Sequence, residues 1–245
     1  MELLKLGLAS LLLLHVAGAI DDNTSTSCSP ARCGSLNITY PFSLSGVQPL
    51  YCGYPALELA CDAAGRAYLS SRTSRQRQHL YRVDDISYGN NSMVVAVEAT
   101  FAGDATCTVP DFNVSSDLSL LPLINISDTN TNLVFVYNCV VPPSVRLQRP
   151  CANHTMGAYV SDGDGLSGVP ANCTFVSVPV RGFHAGMEPA RDLYDYYEGL
   201  IRDGFLLEWT AAGDCDACKR SGGECREDSA QNLSAESACA DCRGA

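Results

Sequence analysis

Residues 28–61 read CSPARCGSLNITYPFSLSGVQPLYCGYPALELAC, a run with four cysteines and no long helical period. Gly, Pro and Ser punctuate it, and its apolar runs are strand-length, beginning with Ile38-Thr39-Tyr40. Whether such a segment folds around disulfides or around metal-binding thiolates depends on the compartment in which it matures. The question is sharper at residues 215–242, CDACKRSGGECREDSAQNLSAESACADC, whose outer cysteines are spaced C-x2-C, twenty residues, C-x2-C. That spacing lies at the edge of what a zinc ribbon uses.

The first residues bear on the answer. MELLKLGLASLLLLHVAGA, residues 1–19, has a basic Lys5, an apolar run from Leu6 to Leu14 and the small residues Ala17-Gly18-Ala19. This pattern predicts a secretory signal peptide cut after Ala19; the run is too short for a good membrane span. No hydrophobic tail precedes Ala245, so the expected mature chain carries neither span nor lipid anchor and resides outside the cell, in the wall space. Eight of the twelve asparagines open an N-x-S/T sequon: Asn23, Asn37, Asn90, Asn113, Asn125, Asn153, Asn172 and Asn232. Chance would give about two, so a glycosylated surface is expected.

Thirteen cysteines lie beyond the signal: Cys28, Cys33, Cys52, Cys61, Cys107, Cys139, Cys151, Cys173, Cys215, Cys218, Cys225, Cys239 and Cys242. An oxidising compartment converts such a set to disulfides, and Cys225 has no role in a four-ligand zinc site. Their pairing is open, and the odd number leaves one thiol free or bound to another chain.

Further strands are expected at Met93–Val97, Leu133–Tyr137, Val176–Val180 and Phe205–Trp209, with a turn at Gly89-Asn90-Asn91 and a break at Pro142-Pro143. In EPARDLYDYYEGLIRDG, residues 188–204, Ala190, Leu193, Tyr194, Tyr197, Leu200 and Ile201 follow a helical period. Pro189 suits its first turn and Gly204 its end. The expected fold is mainly β and disulfide-rich, in two small modules, 28–140 and 141–245, with one amphipathic helix in the second.

Several motifs together resemble a known family. Cys28-x4-Cys33-Gly34, Ile38-x-Tyr40-Pro41-Phe42, Cys52-Gly53-x-Pro55-x-Leu57-x-Leu59-x-Cys61 and the later Leu133-x-Phe135-x-Tyr137-Asn138-Cys139 are similar to the galacturonan-binding module of plant wall-associated receptor kinases and related receptor-like kinases. Gly204-Phe205-Leu206-Leu207-Glu208-Trp209, followed by Cys215-x2-Cys218-x2-Ser221-Gly222-Gly223-x-Cys225, resembles the C-terminal wall-associated domain that follows it. The pattern departs at Leu57, where an aromatic is usual, at Arg226, where glycine is usual, and at the end, where Cys239-Ala240-Asp241-Cys242 replaces C-x-C. No kinase glycine loop, H-R-D or D-F-G segment is present.

The resemblance implies binding of pectin, a polymer of galacturonate carboxylates. A net charge of -11 opposes that, and opposes nucleic acid as a partner, so any attraction is local. Five of the fourteen arginines fall in residues 65–82: Arg66, Arg72, Arg75, Arg77 and Arg82, with His79 and no acid among them. Arginine suits carboxylates because its planar fork makes two hydrogen bonds. On a strand, Arg75 and Arg77 would share a face. The opposing reading pairs these arginines with Asp62, Asp84 and Asp85. Tyr40, Phe42 and Tyr54 are candidates for stacking on sugar, or for packing around the disulfides; Trp209 reads as core.

No cofactor is expected, although calcium can bridge an acidic protein to pectin. Asp162-Gly163-Asp164-Gly165 offers oxygens for it but lacks the length and distal Glu of an EF-hand loop. Three histidines beyond the signal (His79, His154, His184), no HExxH and no G-x-S-x-G predict a non-enzyme without catalytic residues. The rival reading is a soluble partner or decoy for receptor-like kinase ectodomains, or for a peptide ligand; a secreted inhibitor or defence protein is a third.

Overall fold

The computed structural model describes residues 28–70, 81–101, 103–118, 123–141, 143, 146–147, 151–161, 172–182 and 189–210, with backbone alone at 189–195. Its twelve strands are β1 (Ala31–Cys33), β2 (Leu36–Ile38), β3 (Ser43–Leu44), β4 (Glu58–Cys61), β5 (Ala67–Leu69), β6 (Tyr81–Ser87), β7 (Ser92–Val97), β8 (Ile124–Ile126), β9 (Thr131–Tyr137), β10 (Gly157–Ser161), β11 (Thr174–Val180) and β12 (Phe205–Trp209). Two helices, α1 (Val114–Leu118) and α2 (Pro189–Asp203), complete the set. The fold is mainly β and disulfide-rich.

The strands form a seven-stranded sheet, β3-β4-β5-β6-β7-β12-β8, a three-stranded sheet, β10-β9-β11, and the small ribbon β1-β2. All ladders are antiparallel except β3 with β4. β7, the run Ser-Met-Val-Val-Ala-Val, is buried on both faces, as a central strand of β-branched residues should be. One continuous core joins the two larger sheets: Met93, Val95, Phe205, Leu207 and Trp209 meet Leu133, Phe135, Val176, Val178 and the buried α2 residues Tyr197, Leu200 and Ile201.

The chain's order in space departs from its order in sequence at β12. Phe205 stands opposite Val95 and Leu207 opposite Met93 on one side; Leu207 faces Ile126 and Trp209 faces Ile124 on the other. A strand from the second half of the sequence thus fills the slot between β7 and β8 of the first. The side chain of Asn130 extends that ladder: its Nδ2 donates to the Leu206 carbonyl and its Oδ1 accepts from the Leu206 amide, both at 2.8 Å.

Four disulfides cross-link the described cysteines: Cys28–Cys52, Cys33–Cys61, Cys107–Cys151 and Cys139–Cys173. They form two interleaved pairs, each bridge restricting the unfolded chain by about 3–4 kcal/mol in the loop-entropy account. They account for eight of the thirteen cysteines. The other five, 13 minus 8, are all in residues 215–242 and lie outside the described residues, so the odd cysteine belongs to that group.

Two local expectations need correction. The strand expected at Ile38–Tyr40 stops at Ile38, because Pro41 has no amide to donate; the chain turns instead, with the Phe42 amide donating to the Thr39 carbonyl at 2.9 Å. The five-residue α1, too short to show a period, was not expected. Asn113 caps it, its Oδ1 accepting the Ser116 amide at 3.0 Å.

Gly204 links α2 to β12. Its φ is +71°, and a Cβ placed there would lie 2.1 Å from the Val95 carbonyl oxygen. Gly204→Ala is expected to destabilise the protein by at least about 2 kcal/mol. Gly199→Ala, inside α2 with open space around its Cα, is expected to stabilise it by about 0.5–1 kcal/mol. Paired denaturant titrations check both signs.

Candidate functional site

Strand alternation builds the outer face of the seven-stranded sheet next to the arginine segment. Tyr68 on β5 lies opposite Arg82 on β6, and Arg82 opposite Ala96 on β7. Arg66 and Glu98 are each two residues along from this row, so the period of two brings them to the same face.

The side chains there form a closed charge network. The Arg66 guanidinium meets the Asp62 carboxylate at 2.7 Å and reaches Glu98 at 3.8 Å. Arg82 donates through Nε to Asp84 at 2.6 Å and through Nη1 to Glu98 at 2.5 Å. The Tyr68 hydroxyl donates to the other oxygen of Glu98 at 2.9 Å, and the Arg66 guanidinium lies 5.7 Å from the Tyr68 ring centroid. Hydrogen bonds donated to Asp62 and to Asp84 raise the pKa values of Arg66 and Arg82 respectively. Burial first, then the bond to Glu98, pushes Tyr68 up to about 12. The backbone amide of Arg66 is the largest of the influences that hold Asp62 below the usual carboxylate range.

Two arginines therefore face three carboxylates. Arg66 and Arg82 make the ion pairs that the opposing sequence reading assigned to Asp62 and Asp84; Asp85 joins no such pair among the described residues. Glu98 was not anticipated, although its position two residues beyond Ala96 on β7's outer face was a signal in the alternation. The two arginines brace the hairpin on either side of residues 71–80, the connection from β5 to β6. Arg72, Arg75, Arg77 and His79 lie in that connection, outside the described residues, as does Asp162–Gly165.

The proposed stacking residues fall into two groups. Phe42 is fully buried, edge-on to Trp209 at 4.9 Å and to Tyr88 at 6.2 Å. It has no face to offer a sugar and is corrected to a core residue, beside the equally buried Trp209. Tyr40 is also buried; its ring lies 5.6 Å from that of Tyr54, and its hydroxyl donates to the Tyr54 hydroxyl at 2.9 Å. Tyr54 retains partial exposure. Tyr88, not singled out from the sequence, ties this region together by donating to the Asn37 carbonyl at 2.8 Å and accepting the Thr39 amide at 2.9 Å. Gly53 makes the packing feasible: a Cβ there would come within 2.7 Å of the Pro41 and Phe42 backbone. Among the described residues no cluster of three His, Cys, Asp or Glu side chains is arranged to hold a metal.

Comparison with known families agrees with this architecture. Residues 28–98 match the family model described as wall-associated receptor kinase galacturonan-binding, and residues 150–243 match wall-associated receptor kinase C-terminal. The chain belongs to the family of wall-associated receptor kinase extracellular regions and carries both of its modules. Neither module is a catalytic domain, and the chain contains no kinase domain. A curated relative from Arabidopsis thaliana, a leaf rust 10 disease-resistance locus receptor-like protein kinase-like 1.2, is 29% identical over 214 residues, covering 82% of this chain and 31% of the relative. The chain thus spans about a third of that relative's length. No solved structure matches. Extracellular modules and four disulfides fit an extracellular protein, and no helix among the described residues is long and apolar enough to cross a membrane.

The network makes a pH prediction. Tyr68's folded pKa is raised, so its contribution to stability is complete below pH ~10 and lost as pH rises through about 12. Spectrophotometric titration of wild type against Tyr68→Phe should show one fewer late-ionising tyrosine in the variant. Glu98→Gln should cost about 1–2 kcal/mol, read by denaturant unfolding at neutral pH.

Proposed function

We propose that this chain is a secreted, glycosylated, non-catalytic binder of acidic wall polysaccharide, with the connection 71–80 as its contact. The observation that carries the reading is the galacturonan-binding match over residues 28–98, which encloses that connection. Arg66 and Arg82 are held by the protein's own carboxylates. Arg72, Arg75 and Arg77 have no acid in their own segment and are the cations offered to a polyuronate. Such contacts are exposed and weaken with salt over a screening length of ~8–10 Å.

The glycan reading is supported by position. Asn37, Asn90, Asn125, Asn153 and Asn172 are exposed, and Asn113 is partly so. Asn113 can carry a sugar on Nδ2 while its Oδ1 continues to cap α1.

Arg72, Arg75 and Arg77 changed together to Gln should abolish salt-sensitive retention on immobilised polygalacturonate, measured with and without calcium. Unchanged retention removes the segment from the reading; retention that depends on calcium alone assigns the contact to a bridging ion. The second reading, recognition of receptor ectodomains, draws on the odd cysteine among residues 215–242. It expects a dimer on non-reducing gels that collapses on reduction, and a monomer under both conditions withdraws that support.

A further inference from the structure

A cavity of about 290 Å³ is lined, among the described residues, by Asn138, Cys139, Pro143, Arg146, Asn153, His154 and Thr155. Four of these residues precede position 150 and three follow it, so the cavity sits outside the galacturonan-binding match and at the start of the C-terminal one. In a chain of net charge -11, the described residues of its lining include no carboxylate. It contains a guanidinium, an imidazole, two amides and a hydroxyl, a set dominated by hydrogen-bond donors. Among the described residues Arg146 makes no ion pair, in contrast to Arg66 and Arg82.

The backbone that carries the lining is anchored. Cys139 is bridged to Cys173 and Cys151 to Cys107, so disulfides anchor both chain segments that form it. The Arg146 backbone bridges to Gly157 on β10, and the adjacent Leu147 amide donates to Met156 at 2.8 Å. His154 is held by its amide's bond to the Cys151 carbonyl at 2.8 Å, and its ring lies 5.8 Å from both Phe101 and Tyr137. The neighbouring Asp104 is occupied, accepting from the Ala152 amide at 3.0 Å and from the Thr106 hydroxyl at 2.6 Å. Arg146 is exposed and makes no ion pair among the described residues, so its guanidinium is available to an anion.

We infer that this cavity binds the carboxylate of a small organic acid of monosaccharide size, with Arg146 as the charge partner and the amide of Asn138 as an orienting donor. The size follows from the volume, which is at the lower bound of ~300–1,000 Å³ for ligand pockets. The inference stands apart from the arginine segment and from its polymer ligand.

The test is a ligand-observed NMR titration of the full mature chain, its glycans trimmed to the first sugar because Asn153 opens a sequon. Galacturonate, neutral galactose and acyclic malate are the probes. Galacturonate is expected to bind and galactose not. Arg146→Gln should weaken binding about tenfold or more, the effect of losing a charge-assisted hydrogen-bond pair. Arg181→Gln, at another exposed arginine, should match wild type, and the Arg72/Arg75/Arg77 variant should keep monomer binding even where it loses the polymer. Binding of malate without galacturonate supports the carboxylate site and names an acyclic acid as its source. Equal binding of galactose, wild-type binding by Arg146→Gln, or no binding of either acid overturns the inference.

Discussion

The insertion of β12 between β7 and β8 is the constraint on which the remaining architecture depends. It satisfies backbone groups of two strands at once, and it carries Phe205, Leu207 and Trp209 into the core that both larger sheets share. Gly204 is required because helix α2 must end directly against the β7 backbone for that strand to enter. Trp209 in turn supplies the surface against which Phe42 and Tyr88 pack, so the cysteine-rich N-terminal segment is positioned by residues near the far end of the described chain. The two family matches are separate in sequence, yet β12 of the second extends the sheet of the first through β7.

The electrostatics separate structural from available charge. Glu98 lies between Arg66 and Arg82 and accepts from Tyr68, so the two arginines on the outer face of β5–β7 are offset by the protein's own carboxylates. An acidic protein can then present local positive character only where its arginines lack such partners. Among the described residues the surface depression at Arg146 is such a place, offering a single exposed guanidinium.

Much of the local structure was legible in the sequence. The β-branched runs at 93–97, 133–137 and 176–180 and the periodic helix were found where expected, because their patterns report burial directly. The Arg66–Asp62 pair fits the opposing reading, in which the arginines meet nearby aspartates. The partners that escaped were non-local: Glu98 meets Arg82 across a β ladder, Tyr88 meets Asn37 fifty-one residues away, and β12 meets β7 across more than a hundred residues. Pairing of the cysteines was illegible for the same reason, since strand register decides which sulfurs approach. The role of Phe42 stayed open because Tyr-Pro-Phe has the same composition whether its rings face sugar or pack in the core.

The placement of β12 also sets an order of events on the ribosome. Residues 98–204 separate β7 from its partner, a stretch that takes roughly 5–20 s to synthesise. Over that interval β7 and β8 present open hydrogen-bonding edges of the kind that attract other chains. The Cys28–Cys52 and Cys33–Cys61 bridges close within the first 61 residues, so the nascent N-terminal segment can be covalently tethered before its sheet has a centre.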